Sequence, residues 1–147
     1  MPEPIAQFQG EYRWLSNFWP ATVMLDGICY PSVEHAYVAA KSLDPDFRWK
    51  VSDCAKPGDA KRLGRRAVLR PDWDDVKLTV MENLLAQKFT NPGLKNKLIA
   101  TGTADLVEGN KWGDTFWGVC NGKGDNHLGR LLMALRERLQ TEEEPEQ

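Results

Sequence analysis

Several residue types are scarce in this chain, and each scarcity closes off a class of protein. Histidine occurs twice, at His35 and His127, and cysteine three times, at Cys29, Cys54 and Cys120. No HExxH is present, nor the HxE with PCxxC of a zinc deaminase, so no metal site is expected. The cysteines are odd in number, far apart and without a CxxC, which excludes a disulfide framework and suits a reducing, cytoplasmic setting. No apolar run approaches the roughly 18 residues of a membrane-spanning helix, so no membrane partner is expected. The start, MPEPIAQFQG, has neither the basic region nor the apolar stretch of a signal peptide. Dinucleotide-binding and P-loop patterns are absent too.

What remains is ordinary in composition and uneven in arrangement. With 147 residues, 41% hydrophobic and 27% charged, the chain fits one soluble domain with a real core. It shows no repeat, linker or composition break. The net charge is −2, but Glu142, Glu143, Glu144 and Glu146 crowd one end, and the rest is net positive without them. Residues 1–140 are therefore read as the domain and 141–147 as a solvated, frayed acidic tail. Residues 56–66, KPGDAKRLGRR, gather Lys56, Lys61, Arg62, Arg65 and Arg66 against Asp59. Such a segment suits a phosphate-bearing ligand and is too modest for a dedicated nucleic-acid binder; a solvated helix face is the plain alternative.

The pattern predicts a helix-dominated α+β fold with small β pieces. FQGEYRWLSNFWP, in the N-terminal third, reads as irregular β, and Asp26-Gly27 marks a hairpin. Ser32 looks like the N-cap of a helix of about three turns, VEHAYVAAKSL. DPDFRWKVSDC is a short helix stopped near Pro57-Gly58, and DAKRLGRRAV a third, interrupted by Gly64. The longest helix opens at Pro71-Asp72, with Trp73, Val76, Val80, Met81, Leu84 and Leu85 at helical spacing, and ends near Asn91-Pro92-Gly93. GLKNKLIATG forms another. Asp125 or Asn126 caps a last helix with a buried stripe of Leu128, Leu131, Leu132, Leu135 and Leu139. TADLVE and TFWGVC are candidate short strands.

Two regions hold the candidate chemistry. Glu34 falls at about the second position of the first helix, where a carboxylate gains about 0.3–1 kcal/mol from the helix dipole. Lys41 lies seven residues on, along the same face, with Tyr37 and Val38 between them. The second region is EGNKWGDTFWGVCNGKGDNHLG, which sets Trp112 and Trp117 among closely spaced glycines. Glycine lets backbone approach a ligand. Glu108 and Asp114 add carboxylates, and NGKGDN runs into a helix N-terminus, a natural anion site. Trp73, beside the basic segment, fits either the core or a stack on a heterocycle. A Cys120–His127 nucleophilic pair has no support in the spacing. Carboxylates, aromatics, cations and an anion site without a metal suit a phosphorylated heterocycle–sugar compound.

Six stretches taken together resemble a known family: FQGEYRWLSNFWP, DGICYPSVEHAYVAAK, RPDWDDVKLTVM, QKFTNPGLKNKLIATG, LVEGNKWGDTFWGV and GKGDNHLGRLLMALR. They are similar, in order and spacing from Phe8 to Leu139, to the YbiA-like or NADAR N-glycosidases. The resemblance implies an α+β N-glycosidase fold and no cofactor. It implies hydrolysis of the bond between ribose 5-phosphate and the amine of early riboflavin-pathway pyrimidines. Relatives release ADP-ribose from guanine bases, so an ADP-ribosylated nucleic acid or nucleotide is the alternative partner. The family's acidic and aromatic site positions fall on Glu34, Trp73, Glu108, Trp112, Asp114 and Trp117. Lys41, Arg65 and Asn126 match further pocket positions, and Asn17 and Gly118 complete the substrate-binding set. Trp19 stands where many relatives carry tyrosine, and Cys120 sits in a variable part of its motif and receives no role.

Breaking a ribosyl C1–N bond develops oxocarbenium character on the sugar and negative charge on the departing amine. A carboxylate facing C1 stabilises the cation and activates water, while a donor assists the leaving group. Glu34 is assigned nearest the sugar, with Asp114 next as base or orienting group. A Lys41 adduct with an opened ribose is the other route. Trp73 and Trp112 are expected to stack on the pyrimidine, Arg65 and the GKGDN amides to hold the phosphate, and the glycine-rich loop to form the second wall of the pocket. A binding module without turnover is a third reading, against which the acidic set Glu34, Glu108 and Asp114 speaks.

Overall fold

A computed structural model of the protein describes residues 2–143. These fall into two compact units: Asn17–Lys88, and the flanking stretches that end at Ser16 and begin at Phe89.

The Asn17–Lys88 unit opens with an antiparallel hairpin of β1 (Pro20–Leu25) and β2 (Ile28–Ser32). Its turn is the expected Asp26-Gly27, with φ of +48° and +84°, the pair of positive values that a two-residue hairpin loop demands. Val23 pairs with Tyr30, and both side chains are buried. The chain passes directly into α1 (Val33–Ala40), where the Ser32 hydroxyl accepts the His35 N–H at 3.1 Å as its N-cap. At 8 residues α1 is shorter than expected. Every α1 residue except Glu34 is buried, as befits a helix packed by the hairpin, α2 (Pro45–Ser52), α3 (Pro57–Gly64) and α4 (Trp73–Lys88).

Two boundaries differ from expectation. Pro57-Gly58 does not stop α2, which ends at Ser52; it starts α3, with Pro57 at a first-turn position where its missing N–H costs nothing. Gly64 ends α3 rather than interrupting it. A Cβ there would lie 2.9 Å from Val38 Cγ1, so the bare glycine is what lets α3 approach α1. On α4 the inner face is Trp73, Met81, Leu84, Leu85 and Lys88, while Val76 and Val80 are only half-buried.

In the other unit, Gly10–Leu15 is a 3₁₀ helix where irregular β was expected, and it buries Trp14 and Leu15. Trp14 meets Phe89 edge-on at 6.3 Å. Helix α5 (Pro92–Ala100) is capped by Asn91, whose side chain accepts the Leu94 N–H at 3.1 Å. It packs on α6 (His127–Glu143), which at 17 residues exceeds α4 at 16 as the longest described helix. Leu128, Leu132, Leu135 and Leu139 form the buried stripe, with Leu131 half-buried. Buried Arg136 donates to Ala104 O at 2.8 Å and Thr101 Oγ1 at 3.0 Å, tying α6 to the turn after α5.

Helix α6 also takes in residues that were read as tail. The Thr141 hydroxyl donates to Glu137 O, Glu142 pairs with Arg138 at 3.8 Å, and Glu143 with Lys95 at 3.5 Å. The remainder of that tail, 144–147, lies outside the described residues. The β structure of this unit is slight. β3 (Gly109–Asn110) runs parallel to β4 (Val119–Cys120), and TADLVE contributes only a bridge from Leu106 to Ile5. The architecture is thus helix-rich α+β. No described helix is long and apolar enough to cross a membrane, and all three cysteines are free thiols.

Candidate active site

Within Asn17–Lys88, the polar residues converge on the ends of α1. Glu34 occupies its first turn and donates its N–H to Asn17 O at 3.1 Å. Asn17 is held in turn by its side-chain amide, which meets Met81 Sδ at 3.6 Å; its Oδ1 is buried and accepts no hydrogen bond from the described residues. At the other end of α1, the Lys41 ammonium lies 5.4 Å from the centre of the Tyr37 ring. Burial lowers the Lys41 pKa, the Glu34 charge opposes that fall, and Lys61 and Lys77 add to it.

Tyr37 carries the cluster on to α4. Its ring packs on Trp73 at 5.2 Å and 54°. Trp73 is only 7% exposed, so most of its surface is spent on the protein. Trp73 is set in place from Lys41 as well: Lys41 O accepts the Arg70 N–H at 2.7 Å, and Arg70 O accepts the Trp73 N–H at 3.1 Å. The Arg70 guanidinium grips Asp72 bidentately at 2.6 and 3.0 Å and holds that carboxyl below its ordinary range. Arg65 is an exposed residue at the C-cap of α3, and no hydrogen bond or ion pair joins its side chain to Glu34 or Lys41. Lys61, from the same basic segment, sits 5.9 Å from the Phe18 ring.

His35, next to Glu34, is structural. Its Nε2 faces Cys54 O at 2.9 Å, and a carbonyl only accepts, so Nε2 carries the proton and Nδ1 accepts from the Ser32 hydroxyl at 2.6 Å. Burial holds this neutral imidazole below its ordinary pKa.

The glycine-rich segment organises the second group of residues. Asp114 Oδ1 accepts the N–H of Phe116 at 3.1 Å and of Trp117 at 2.9 Å. The Asn110 amide donates to Glu108 Oε2 at 3.0 Å and to Asp114 O at 2.9 Å, while its Oδ1 accepts the Asp114 N–H at 3.0 Å. Gly118 lies against Glu108, with no room for a Cβ. Trp117 meets Phe116 edge-on at 4.8 Å, and Phe116 lies 4.5 Å from the His127 ring. Trp112, in the same segment, is 54% exposed.

Asn126 stands at the expected position just before α6, where its carbonyl accepts the Arg130 N–H at 2.9 Å, but with φ of +53° its side chain is spent elsewhere. Its Oδ1 accepts the Glu108 N–H at 3.0 Å and its Nδ2 donates to Leu106 O at 3.0 Å, so it clasps the strand side of the loop. The helix N-terminus is not the expected open anion cradle. The N–H groups of Asp125, Asn126, His127 and Leu128 donate to the carbonyls of Thr115, Gly118, Phe116 and Trp117, and Lys123 N–H to Cys120 O. The loop folds over the helix end and takes up these five amides.

Sequence reasoning missed Asn110, which contacts Glu108 and Asp114. An Asn four residues before an Asp, among glycines, was the available signal, since short amides fold turns onto their own backbone. It also missed Lys88, which is 1% exposed and pushed down to about 7 by burial. No group of three His, Cys, Asp or Glu among the described residues is arranged to hold a metal.

Comparison with known proteins adds the family. The NADAR domain model matches residues 6–140. The chain is 40% identical over 136 residues to an N-glycosidase YbiA of Shigella flexneri, covering 90% of this chain and 84% of that protein. It is 38% identical over 146 residues to a riboflavin biosynthesis protein of Vibrio vulnificus, covering 95% of this chain and only 40% of that longer protein. The NMR structure of Escherichia coli YbiA superposes with a TM-score of 0.85 at 37% identity, over 99% of this chain and 92% of that one. The chain belongs to the NADAR domain family.

Proposed function

We propose that the protein is a cytoplasmic N-glycosidase that hydrolyses the ribosyl C1–N bond of phosphorylated ribosylaminopyrimidines of the early riboflavin pathway, releasing ribose 5-phosphate. The names of its relatives support this reading, in particular N-glycosidase YbiA and a riboflavin biosynthesis protein. The observation that carries it is the placement of Glu34 in the first turn of α1 and of Lys41 just past its end, the ammonium 5.4 Å from the Tyr37 ring that packs on Trp73.

In this reading Glu34 stabilises the oxocarbenium-like sugar and activates the water that adds to C1 as the C1–N bond breaks; the departing amine takes up a proton. Lys41 serves either as a hydrogen-bond partner of the sugar or as the amine that condenses with an opened ribose, which its lowered pKa favours by raising the share of free base. Asp114 and Glu108 are the further carboxylates. Trp112 offers an exposed ring for the pyrimidine. Trp73, almost covered, supports Tyr37 and through it the surroundings of Lys41. With the α6 amides already bonded, the phosphate falls to side-chain cations, Arg65 foremost and Lys61 beside it. Asn17, Trp117, Gly118 and Asn126 serve binding by fixing the segments that carry these groups.

The test compares wild type with Glu34→Gln on ribosylaminopyrimidine phosphates and, separately, on an ADP-ribosylated guanine nucleotide. Ribose 5-phosphate is expected from the pyrimidines with wild type, and at least about 10²-fold more slowly with the variant. A folded Glu34→Gln protein with the full rate removes Glu34 from the reaction. ADP-ribose release with no ribose 5-phosphate moves the enzyme to the reversal of guanine modification, and binding without either product makes it a sensor. Borohydride trapping of a substrate adduct on Lys41 separates the imine route from direct water attack.

A further inference from the structure

Asn110 has no chemistry of its own to offer, yet its carboxamide is bonded at every good position. One Nδ2 hydrogen goes to Glu108 Oε2 at 3.0 Å and the other to Asp114 O at 2.9 Å, with Glu108 O also near at 3.4 Å. Its Oδ1 takes the Asp114 N–H at 3.0 Å. The orientation of the amide follows from its partners, because a backbone carbonyl only accepts and a backbone N–H only donates. Asn110 therefore touches both the Glu108 carboxylate and the Asp114 backbone.

The consequence is a fixed pair of carboxylates. Glu108 receives a charge-assisted hydrogen bond that selects one rotamer. Asp114, pinned by its own peptide groups, turns Oδ1 onto the Phe116 and Trp117 N–H groups and leaves Oδ2 with no hydrogen bond from the described residues. Each carboxylate thus has a set direction before any ligand arrives. In glycosidic hydrolysis the placement of a carboxylate decides what it does, so a residue that fixes Glu108 acts on rate.

We infer that Asn110 is a positioning residue, which holds the Glu108 carboxylate and the Asp114 peptide in the arrangement that the hydrolysis uses. The inference rests on the N-glycosidase reading above for its catalytic part, and on geometry alone for the positioning.

Asn110→Asp is the sharp test. It keeps the shape and the acceptor for Asp114 N–H, and it replaces the donor to Glu108 Oε2 with a second negative charge. The expected result is a fall in kcat of about 10²-fold with KM within about threefold. Combining it with Glu108→Gln reverses donor and acceptor; the double variant should regain thermal stability without regaining kcat. If Asn110→Asp and Asn110→Ala lower the unfolding midpoint but keep kcat per folded molecule within about twofold, the residue only folds the loop and the inference is overturned. A second readout needs no substrate. The Asn110 side-chain amide protons, followed by ¹⁵N NMR, should be slow to exchange, and one should lose protection in Glu108→Ala. Unprotected amide protons, unchanged by Glu108→Ala, overturn the inference whatever the activity. A protected amide in a wild-type protein that cleaves no ribosylamine supports the positioning and refutes the assigned reaction.

Discussion

Gly118 and Glu108 are packed so closely that no side chain fits between them. A Cβ at position 118 would overlap the Glu108 carboxylate and its backbone carbonyl, and would lie 2.8 Å from Asn110 Nδ2. The same carbonyl accepts the Val119 N–H at 2.9 Å, so the backbone has no slack with which to retreat. Gly118→Ala is expected to cost about 1–3 kcal/mol, as other intrusions into packed sites do, and to displace the Glu108 carboxylate. Denaturant unfolding gives the first quantity and turnover per folded molecule the second; unchanged values in both would contradict the packing described.

His35 makes stability depend on pH. Its folded pKa lies below the ordinary value because burial disfavours the charged ring, so the unfolded chain binds a proton more readily. The contribution is present in full above the unfolded pKa of about 6.5 and declines as pH falls toward the lower folded value. Unfolding midpoints measured from pH 7.5 down to pH 5 should fall in wild type. His35→Gln should fall less steeply, at the price of a lower midpoint at pH 7.5, because the links to Ser32 and Cys54 are lost.

Lys88 acts in the alkaline range. Burial brings it to about 7, whereas an unfolded lysine titrates near 10.4, so the folded state favours the neutral amine. Stability from this source is lost as pH falls from about 10.4 to about 7, a span worth on the order of 4–5 kcal/mol. Wild type should therefore gain stability relative to Lys88→Met on going from pH 7 to pH 9.5. Parallel stability curves for the two proteins would show that Lys88 stays charged when folded.

Glu34 tunes Lys41. Burial lowers the amine and the Glu34 carboxylate pulls it back up, so Glu34→Gln should drop the Lys41 titration further. Lysine labelled with ¹³C at Cε, titrated by NMR, reports this directly. An unmoved Lys41 resonance in the variant would mean that the two groups do not share a field.

Much of the local structure was legible because its causes lie within a few residues. Asp26-Gly27 turns the hairpin through positive φ and Ser32 caps α1, whereas Asn91-Pro92, expected only as the end of the long helix, also caps and starts α5. Gly10–Leu15 misled, because its aromatic and turn-rich composition serves a 3₁₀ turn that buries Trp14 as readily as a strand. Trp73 left core and ligand roles open, and its burial against Tyr37 is a fact of packing that spacing does not decide.

The sequence by itself determined the family, the order of the helices, the hairpin and the residue types on which the chemistry rests, because turn, cap and periodicity signals act at short range. Only the tertiary structure decided how the polar groups are spent. The amides at the start of α6 belong to the carbonyls of Thr115 to Gly118, Asn126 belongs to Leu106 and Glu108, and the Lys88 amine belongs to the interior. A donor's partner is chosen by whichever acceptor folding brings within about 3 Å, and that choice depends on contacts far apart in the chain.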